Sequence, residues 1–171
     1  MESKISTVIR ESAPEDANSI YELLKLTWLE TYSSFIPLDD LLFYLSKTYS
    51  SDNLIKLFED KSFKCFTAIH ESEIAGWLKL FENTEAMRFY LSSIYVLPKF
   101  QKFKIGRKLI NLAYENATHK GYDKIYIGVM NSNKNALEIY LREGFTFFDE
   151  QPFFMGATEI THKIGYKVLN N

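Results

Sequence analysis

Short runs of aromatic and β-branched residues recur along the chain, and such runs are typical of half-buried β-strands. They predict strands at residues 5–10, 63–70, 74–81, 89–96, 124–130, 145–149 and 161–169. The short polar segment Glu71-Ser72-Glu73 predicts a hairpin between the second and the third of these strands. Residues 151–159 are predicted to form a mobile connection between the last two strands.

Between the strands, apolar residues recur every three to four positions, which indicates amphipathic helices. Ser12 is the predicted cap of the first helix, which has Pro14 near its first turn and ends near Thr31. Its buried face is predicted to consist of Ala17, Ile20, Leu24 and Trp28. Further helices are predicted at residues 38–59 with a break around residues 50–52, at about 105–120, and at 133–142. Gly121 is expected just beyond the C-terminal cap of the helix that ends near residue 120.

The order of these elements, β-α-α-β-β-β-α-β-α-β-β, predicts an α/β fold built on a mixed sheet. A chain of 171 residues suits one domain, which would bury about 70% of its unfolded surface. Hydrophobic residues make up 46% of the chain, so a dense core is available. We see no internal repeat or linker, and therefore expect a single domain spanning residues 1–171.

Charge and composition exclude several classes of partner. The net charge of −2 and the pI near 6.0 argue against nucleic acid as the main partner. No apolar stretch approaches the roughly 20 residues of a membrane span, and no signal-peptide core is present. Cys65 is the single cysteine, which rules out an internal disulfide and fits a reducing cytoplasm. The three histidines show no metal-ligand spacing, so we expect no metal. Together, these observations predict a cytoplasmic protein without a membrane partner.

The segment from residue 89 to residue 110 changes period in its middle. Pro98 stops the preceding strand, and a helix begins close to Gly106. A helix start offers unpaired N–H groups and the positive end of the helix dipole, which together favour an anion. The surrounding cations are Lys102, Lys104, Arg107 and Lys108. The segment predicts a site for a phosphorylated ligand, although a loop with simply solvated lysines explains it equally well on its own.

A second segment follows the strand at residues 124–130. It fits the pattern Asn-x-x-Ala-x-x-x-Tyr-x-x-x-Gly-Phe at Asn133, Ala136, Tyr140, Gly144 and Phe145. Together with Ile94-Tyr95-Val96 and the loop from Gln101 to Gly106, it resembles the GNAT superfamily of acyl-CoA-dependent N-acetyltransferases. The resemblance covers about half of the chain at the level of motifs, and the order of elements across nearly all of it.

This resemblance implies acetyl-CoA as co-substrate and a small-molecule amine as acceptor. In the GNAT fold, two neighbouring parallel strands splay, here after Val96 and Met130, and the pantetheine arm lies in the gap. The implied cofactor-binding residues are Ile94, Tyr95, Val96, Gln101, Lys102, Phe103, Lys104, Ile105, Gly106, Arg107, Asn133 and Tyr140. The sequence departs from the family at Lys104, which stands where relatives have the first glycine of a Gly-x-Gly pair. Asn133 also has a purely structural interpretation, as the N-cap of its own helix.

The resemblance implies that Tyr140 is the catalytic residue that protonates the departing CoA thiolate. The alternative is a tyrosine that only packs in the core. Many relatives place a glutamate at the strand positions that are here Tyr90 and Ser92, so this chain lacks that general base. Proton removal would then fall to ordered water held by Ser92, or to a carboxylate elsewhere such as Glu30, for which a solvated helix position is the alternative.

The resemblance within the superfamily is greatest to the bacterial Pai-type spermidine/spermine N-acetyltransferases, which implies a polyamine acceptor. The implied acceptor contacts are Glu30, Tyr32, Tyr90 and Ser92. His162 stands where polyamine-acetylating relatives usually have Asp, either as an acceptor contact or as an ordinary strand histidine. Two alternatives remain open: a module that binds acetyl-CoA without efficient chemistry, and an enzyme that acetylates a protein amine. By analogy with the family, a homodimer is expected.

Overall fold

The computed structural model describes residues 6–170, which form seven strands and five α-helices. The strands are β1 Val8–Glu11, β2 Phe63–His70, β3 Glu73–Asn83, β4 Arg88–Val96, β5 Lys124–Met130, β6 Thr146–Met155 and β7 Thr158–Val168. The helices are α1 Ala17–Tyr32, α2 Leu38–Tyr49, α3 Ser51–Glu59, α4 Ile105–His119 and α5 Lys134–Arg142. Short 3₁₀ turns at Pro14–Asp16 and Pro98–Phe103 precede α1 and α4.

The seven strands form one sheet in the order β1-β2-β3-β4-β5-β7-β6. Within it, β4 and β5 run parallel, and every other neighbouring pair is antiparallel. This mixed sheet confirms the predicted α/β fold. None of the helices in residues 6–170 has the length and apolar character needed to cross a membrane.

The parallel pair separates almost as soon as it forms. Only Phe89 with Ile125 and Tyr90 with Tyr126 are paired between β4 and β5. The strands were expected to splay after Val96 and Met130, but they diverge several residues earlier. Beyond the two pairs, the facing backbone N–H and C=O groups have no partner strand, and buried groups of this kind need one.

Helices cover the two faces of the sheet near this gap. On one face, α4 approaches so closely that a Cβ at Gly76 would lie 3.2 Å from the Cγ2 atom of Ile105. On the other face, Tyr49 of α2 packs edge-on against Trp77, with ring centroids 5.9 Å apart. The strand β3, which neighbours β4, is therefore covered by helices on both faces.

The first helix has the predicted buried face but not the predicted start. All four residues expected on that face are buried: Ala17, Ile20, Leu24 and Trp28. The cap at Ser12 is wrong, because the chain enters α1 through the 3₁₀ turn, and the Ser12 hydroxyl bonds Thr67 at 2.8 Å. The carboxylate of Asp16, rather than Ser12, bonds the backbone at the entry to α1. It accepts hydrogen bonds from the Ala13 amide at 2.8 Å and from the Arg10 guanidinium.

Most other predicted boundaries hold to within a few residues. The helical region at 38–59 breaks at Ser50, whose side chain accepts from the amide of Asn53 at 3.3 Å and so caps α3. Gly121 lies beyond the end of α4 with a φ of 86°, which is the left-handed conformation expected there. The strand predicted at 5–10 is shifted to Val8–Glu11, and Ile5 lies outside the described residues.

The mobile connection predicted at 151–159 is wrong. The strand β6 continues to Met155, and β7 begins at Thr158 after a tight turn in which Gly156 has a φ of 60°. Pro152 lies inside β6, and it is tolerated because β6 is the outer strand of the sheet, where a missing donor costs little. A long hairpin therefore replaces the expected loop.

This hairpin is tied to α2 at its turn. Asp40 accepts hydrogen bonds from the amide of Ala157 at 3.0 Å and from the hydroxyl of Thr158 at 2.5 Å. The hydrogen bond from Thr158, followed by the one from Ala157, lowers the pKa of the Asp40 carboxyl. The contact brings β6 and β7 against the helical layer next to the gap in the sheet.

Candidate active site

A cleft of ≈ 900 Å³ opens where β4 and β5 diverge. Its walls are formed by α1, α2 and α5 together with β3, β4, β5, β6 and β7. This volume falls within the range of about 300–1,000 Å³ that is typical of small-molecule sites. The cleft is the place where the unpaired backbone of the two strands is accessible to a ligand.

Most of the residues predicted for the site line this cleft. They are Glu30, Tyr32, Tyr90, Ser92, Ile94, Tyr95, Val96, Gln101, Asn133 and Tyr140. The remaining predicted residues, 102–107, lie in the loop and in the first turn of α4 rather than in the lining. They adjoin it, since a Cβ on Gly106 would lie 3.9 Å from Val96.

The loop before α4 ends in a left-handed residue and leaves the first amides of the helix free. Lys104 is the N-cap of α4 and adopts φ 58° and ψ 27°, in the left-handed region. The carbonyl of Lys104 accepts the first intrahelical bond from the amide of Lys108 at 3.2 Å. The amides of residues 105–107 precede that first bond, and a helix leaves such groups free for an anion. Lys104 therefore keeps the conformation that a glycine would adopt easily, at a cost of about 1–2 kcal/mol for an ordinary residue.

Lys104→Gly is expected to change the KM for acetyl-CoA by less than about tenfold. Glycine would allow closer backbone approach, whereas losing the ammonium removes a charge-assisted bond to phosphate of about 1.5–3 kcal/mol. The two effects oppose each other. Initial-rate kinetics of Lys104→Gly beside Lys104→Met, which loses the charge but keeps the Cβ, would separate them. A KM for Lys104→Met as low as that of the wild type would mean that the ammonium contributes nothing.

Three of the residues predicted to bind the cofactor have side chains that contact other parts of the protein. The ring of Phe103 packs on His70 with centroids 4.1 Å apart, and the side chain of Ile105 is fully buried. Arg107 forms an ion pair with Glu143. Their part in cofactor binding stays a prediction, and the backbone amides of Ile105 and Arg107 are free for it because they precede the first intrahelical bond.

Tyr140 packs in the core and also borders the cleft, so its position is compatible with both roles that the sequence left open. Its ring packs edge-on against Phe145 at 5.3 Å, and the residue also lines the cleft. Burial raises the pKa of the Tyr140 phenol, and nearby Tyr32 and Glu143 raise it further. The phenol is thus held in its neutral form, in which it can donate a proton. Its catalytic role stays a prediction that this position favours.

Asn133 likewise fulfils its structural role without losing access to the cleft. Its Oδ1 atom accepts from the amide of Ala136 at 3.2 Å, so it caps α5. The residue also lines the cleft. The side-chain amide group keeps N–H donors that a ligand could use.

A β-bulge interrupts the pairing of β3 with β4. Lys79 pairs with Ser93 and Leu80 pairs with Leu91, so Ser92 is the extra residue of the bulge. Ser92 is exposed to the cleft. The bulge therefore presents a hydroxyl to the cleft.

Aromatic rings form one wall of the cleft. Trp28 lies at the centre, 5.8 Å from Tyr32, 5.9 Å from Tyr44 and 5.8 Å from Tyr49 between ring centroids. The hydroxyls of Tyr32 and Tyr95 lie 3.3 Å apart, and burial raises the pKa of both phenols. Sequence reasoning placed Trp28 in the core only and missed Tyr44 and Tyr49, because their approach depends on how α1 and α2 pack.

The charges of the cleft are few. Among the described residues that line it, Glu30 is the one carboxylate, and Lys79 and Lys134 are the cations. Burial lowers the pKa of His162, whose ring stacks on Phe153 at 4.5 Å, so this histidine is neutral at pH 7. Lys79 was not foreseen, although a lone charge inside the apolar run of β3 was the signal for it.

Across residues 6–170, no three His, Cys, Asp or Glu side chains are grouped as a metal site requires.

The sequence matches the model of the acetyltransferase (GNAT) family over residues 18–145. An uncharacterized N-acetyltransferase from the pepI 3′ region of Lactobacillus delbrueckii subsp. lactis is 27% identical over 173 residues, covering 97% of each chain. The spermidine N(1)-acetyltransferase of Thermoplasma acidophilum is 22% identical over 149 residues, covering 85% of this chain and 91% of that protein.

Solved structures repeat the same architecture. The PaiA N-acetyltransferase of Thermoplasma acidophilum in complex with coenzyme A superposes with a TM-score of 0.83 at 20% identity. The superposition covers 96% of this chain and 99% of that one. At this identity the likeness establishes the shared fold and nothing finer.

Proposed function

This chain belongs to the acetyltransferase (GNAT) family, and on that premise we propose that it moves the acetyl group of acetyl-CoA to a primary amine by direct attack within a ternary complex. The observation that carries the proposal is the early divergence of β4 and β5. It brings an unpaired strand edge and a neutral phenol, that of Tyr140, to one cleft, and the start of α4 adjoins it.

The binding of acetyl-CoA follows from groups that need a partner. The diphosphate would lie at the start of α4, where the amides of residues 105–107 are free and Lys102, Lys104 and Lys108 add positive charge. The amide-rich arm would run along residues 94–96 of β4 and satisfy the backbone groups that β5 leaves unpaired. The carboxamide of Asn133 lies on the opposite side of the same gap.

The chemical step requires that the acceptor nitrogen lose two protons and that the CoA sulfur gain one. An alkyl ammonium has a pKa near 10, so the acceptor must lose a proton before its nitrogen can attack the thioester carbon. Water at Ser92 takes this proton, since no carboxylate stands on β4. As the new C–N bond forms and the C–S bond breaks, Tyr140 donates its phenolic proton to sulfur. The attacking nitrogen releases its second proton to water, which gives the neutral amide, and solvent returns a proton to the phenolate.

A polyamine is one candidate acceptor, because the spermidine N(1)-acetyltransferase of Thermoplasma acidophilum is similar to this chain. Within the cleft, the carboxylate of Glu30 and the rings around Trp28 are the groups able to hold a second ammonium. The homodimer expected from the family is part of the same proposal, and sedimentation velocity would test it.

Release of free CoA from acetyl-CoA, followed with a thiol reagent, tests the function. We expect turnover with at least one amine in a panel of polyamines, alkyl monoamines, amino acids and peptides with a free amino group. Calorimetry should show acetyl-CoA binding with or without an acceptor. Binding without CoA release from any amine would replace the enzyme with an acetyl-CoA-binding module, and absence of binding would reject the cofactor site.

A further inference from the structure

Lys79 is a cation built into the wall of the cleft. It lies on β3 opposite Ser93, one residue after the bulge at Ser92. Its Nζ atom lies 4.8 Å from the centre of the Tyr49 ring and donates to the Tyr49 hydroxyl at 2.5 Å. The side chain is thus half-buried, and its ammonium contacts both the ring and the hydroxyl of Tyr49. These contacts fix the position of the ammonium in the wall of the cleft.

No carboxylate neutralises this charge within the described part of the chain. The ion pairs in residues 6–170 join other cations to their partners, and Lys79 takes part in none of them. The aromatic rings that contact its ammonium, Tyr49 and Phe63, offer only their π faces and one hydroxyl. A half-buried ammonium beside apolar rings gains much from an anion that completes its coordination.

The position of Lys79 indicates that its ammonium would contact the acceptor rather than the diphosphate of the cofactor. Side chains alternate along a strand, so Trp77 and Lys79 share one face of β3, and Gly76 lies on the other. Gly76 faces Ile105 of α4, the helix that would hold the diphosphate. Trp77 and Lys79 face Tyr49 of α2 instead.

Resting on the proposed function, we propose that the preferred acceptor is a primary amine that also carries an anionic group, and that Lys79 binds this group. The acceptor nitrogen reaches the thioester at the β4 bulge, and its anion is held by the ammonium of Lys79. A carboxylate and a phosphate share the required chemistry. A fully cationic polyamine meets repulsion at this point, with only Glu30 to offset it.

A matched set of acceptors tests this preference. The set contains 4-aminobutanoate, butylamine and 1,4-diaminobutane, which differ only at the far end of a four-carbon chain. The same three end groups are tested on chains of two to six carbons, and 3-aminopropyl phosphate distinguishes phosphate from carboxylate. A charge-assisted bond predicts a kcat/KM for the best amino carboxylate or phosphate that is roughly 10–100-fold above that of its alkylamine. The diamine should be the poorest member.

Variants at Lys79 locate the cause of the preference. Lys79→Met should bring the ratio of anionic to neutral acceptor close to one, and Lys79→Arg should retain most of it. Lys47→Met is the matched control, because Lys47 also lies over an aromatic ring, Phe43 at 5.6 Å, but does not line the cleft. It should leave the ratio unchanged.

Two results would overturn the inference. One is a kcat/KM for butylamine or 1,4-diaminobutane that equals or exceeds that of every anionic amine, and the wild-type enzyme alone can give it if Lys79→Met does not fold. The other is an anionic preference that persists in a folded Lys79→Met. Neither result touches the proposed function, which fails only if no amine in the wider panel releases CoA.

Discussion

Tyr140→Phe is expected to lower kcat by roughly 10²–10⁴-fold, the usual contribution of a positioned acid. The substitution removes one hydroxyl and leaves the ring that packs on Phe145, so folding and acetyl-CoA affinity should barely change. The phenol stabilises the thiolate only as the C–S bond breaks, and an interaction confined to the transition state appears in turnover rather than in binding. Steady-state kinetics together with calorimetry of acetyl-CoA binding separates the two quantities.

Tyr114→Phe is the matched control. Tyr114 on α4 donates a hydrogen bond to Glu143 at 3.1 Å, and burial followed by Glu143 raises its pKa as it does for Tyr140. It does not line the cleft, so the loss of its hydroxyl should leave kcat close to that of the wild type. Full turnover in Tyr140→Phe would move Tyr140 out of the mechanism and into the core.

The pH dependence of the wild type follows from the same pKa shift. Because the pKa of Tyr140 is raised, the phenol stays protonated from pH 6 to pH 10, and its ionisation does not lower activity in that range. The acceptor ammonium, in contrast, loses its proton as the pH rises towards 10. Activity should therefore increase with pH without a plateau near neutrality.

Gly106→Asp is expected to weaken acetyl-CoA binding by roughly 10²–10³-fold, because two like charges about 4 Å apart near a protein surface repel by about 4 kcal/mol. Gly106 is in the first turn of α4, where the proposal places the diphosphate. The fold should tolerate the change, since the nearest atom to an added Cβ is 3.9 Å away, on Val96. A carboxylate in the first turn also interacts favourably with the helix dipole.

Gly106→Asn is the control for Gly106→Asp, because it has nearly the same shape without the charge. Asparagine should bind acetyl-CoA much more tightly than aspartate does, and both variants should melt no lower than the wild type. Equal affinities for the two variants would mean that the diphosphate does not lie at the start of α4. Calorimetry and thermal melting provide these comparisons.

Local patterns predicted the elements that depend on nearby residues. The strand β5 and the cap of α5 at Asn133 were found because a strand period gives way there to a helical period. The break at Ser50 was found because short polar residues cap helices. Tyr140 was found through a resemblance at fixed spacing, and its place in the cleft fits the predicted role.

Features that depend on distant residues were missed. The cap at Ser12 was wrong because its hydroxyl bonds Thr67, 55 residues away. Residues 151–159, at the end of the hairpin of β6 and β7, were predicted to be a mobile connection because their turn is held by Asp40 of α2, more than 100 residues earlier in the chain. The charge of Lys79 has meaning only once the packing of α2 against β3 shows which face it shares with Tyr49.

The two residue pairs between β4 and β5 also bear on how the molecule holds together. They are the only rungs that join the half-sheet β1-β2-β3-β4 to the half-sheet β5-β7-β6 within the described chain. A ligand that spans the gap would supply the missing rungs, and because it binds only the folded protein, it would stabilise the whole sheet increasingly as its concentration rises above its Kd. Acetyl-CoA would then take the place of a strand between the two half-sheets. Each turnover would remove and restore these contacts as CoA leaves and a new acetyl-CoA binds.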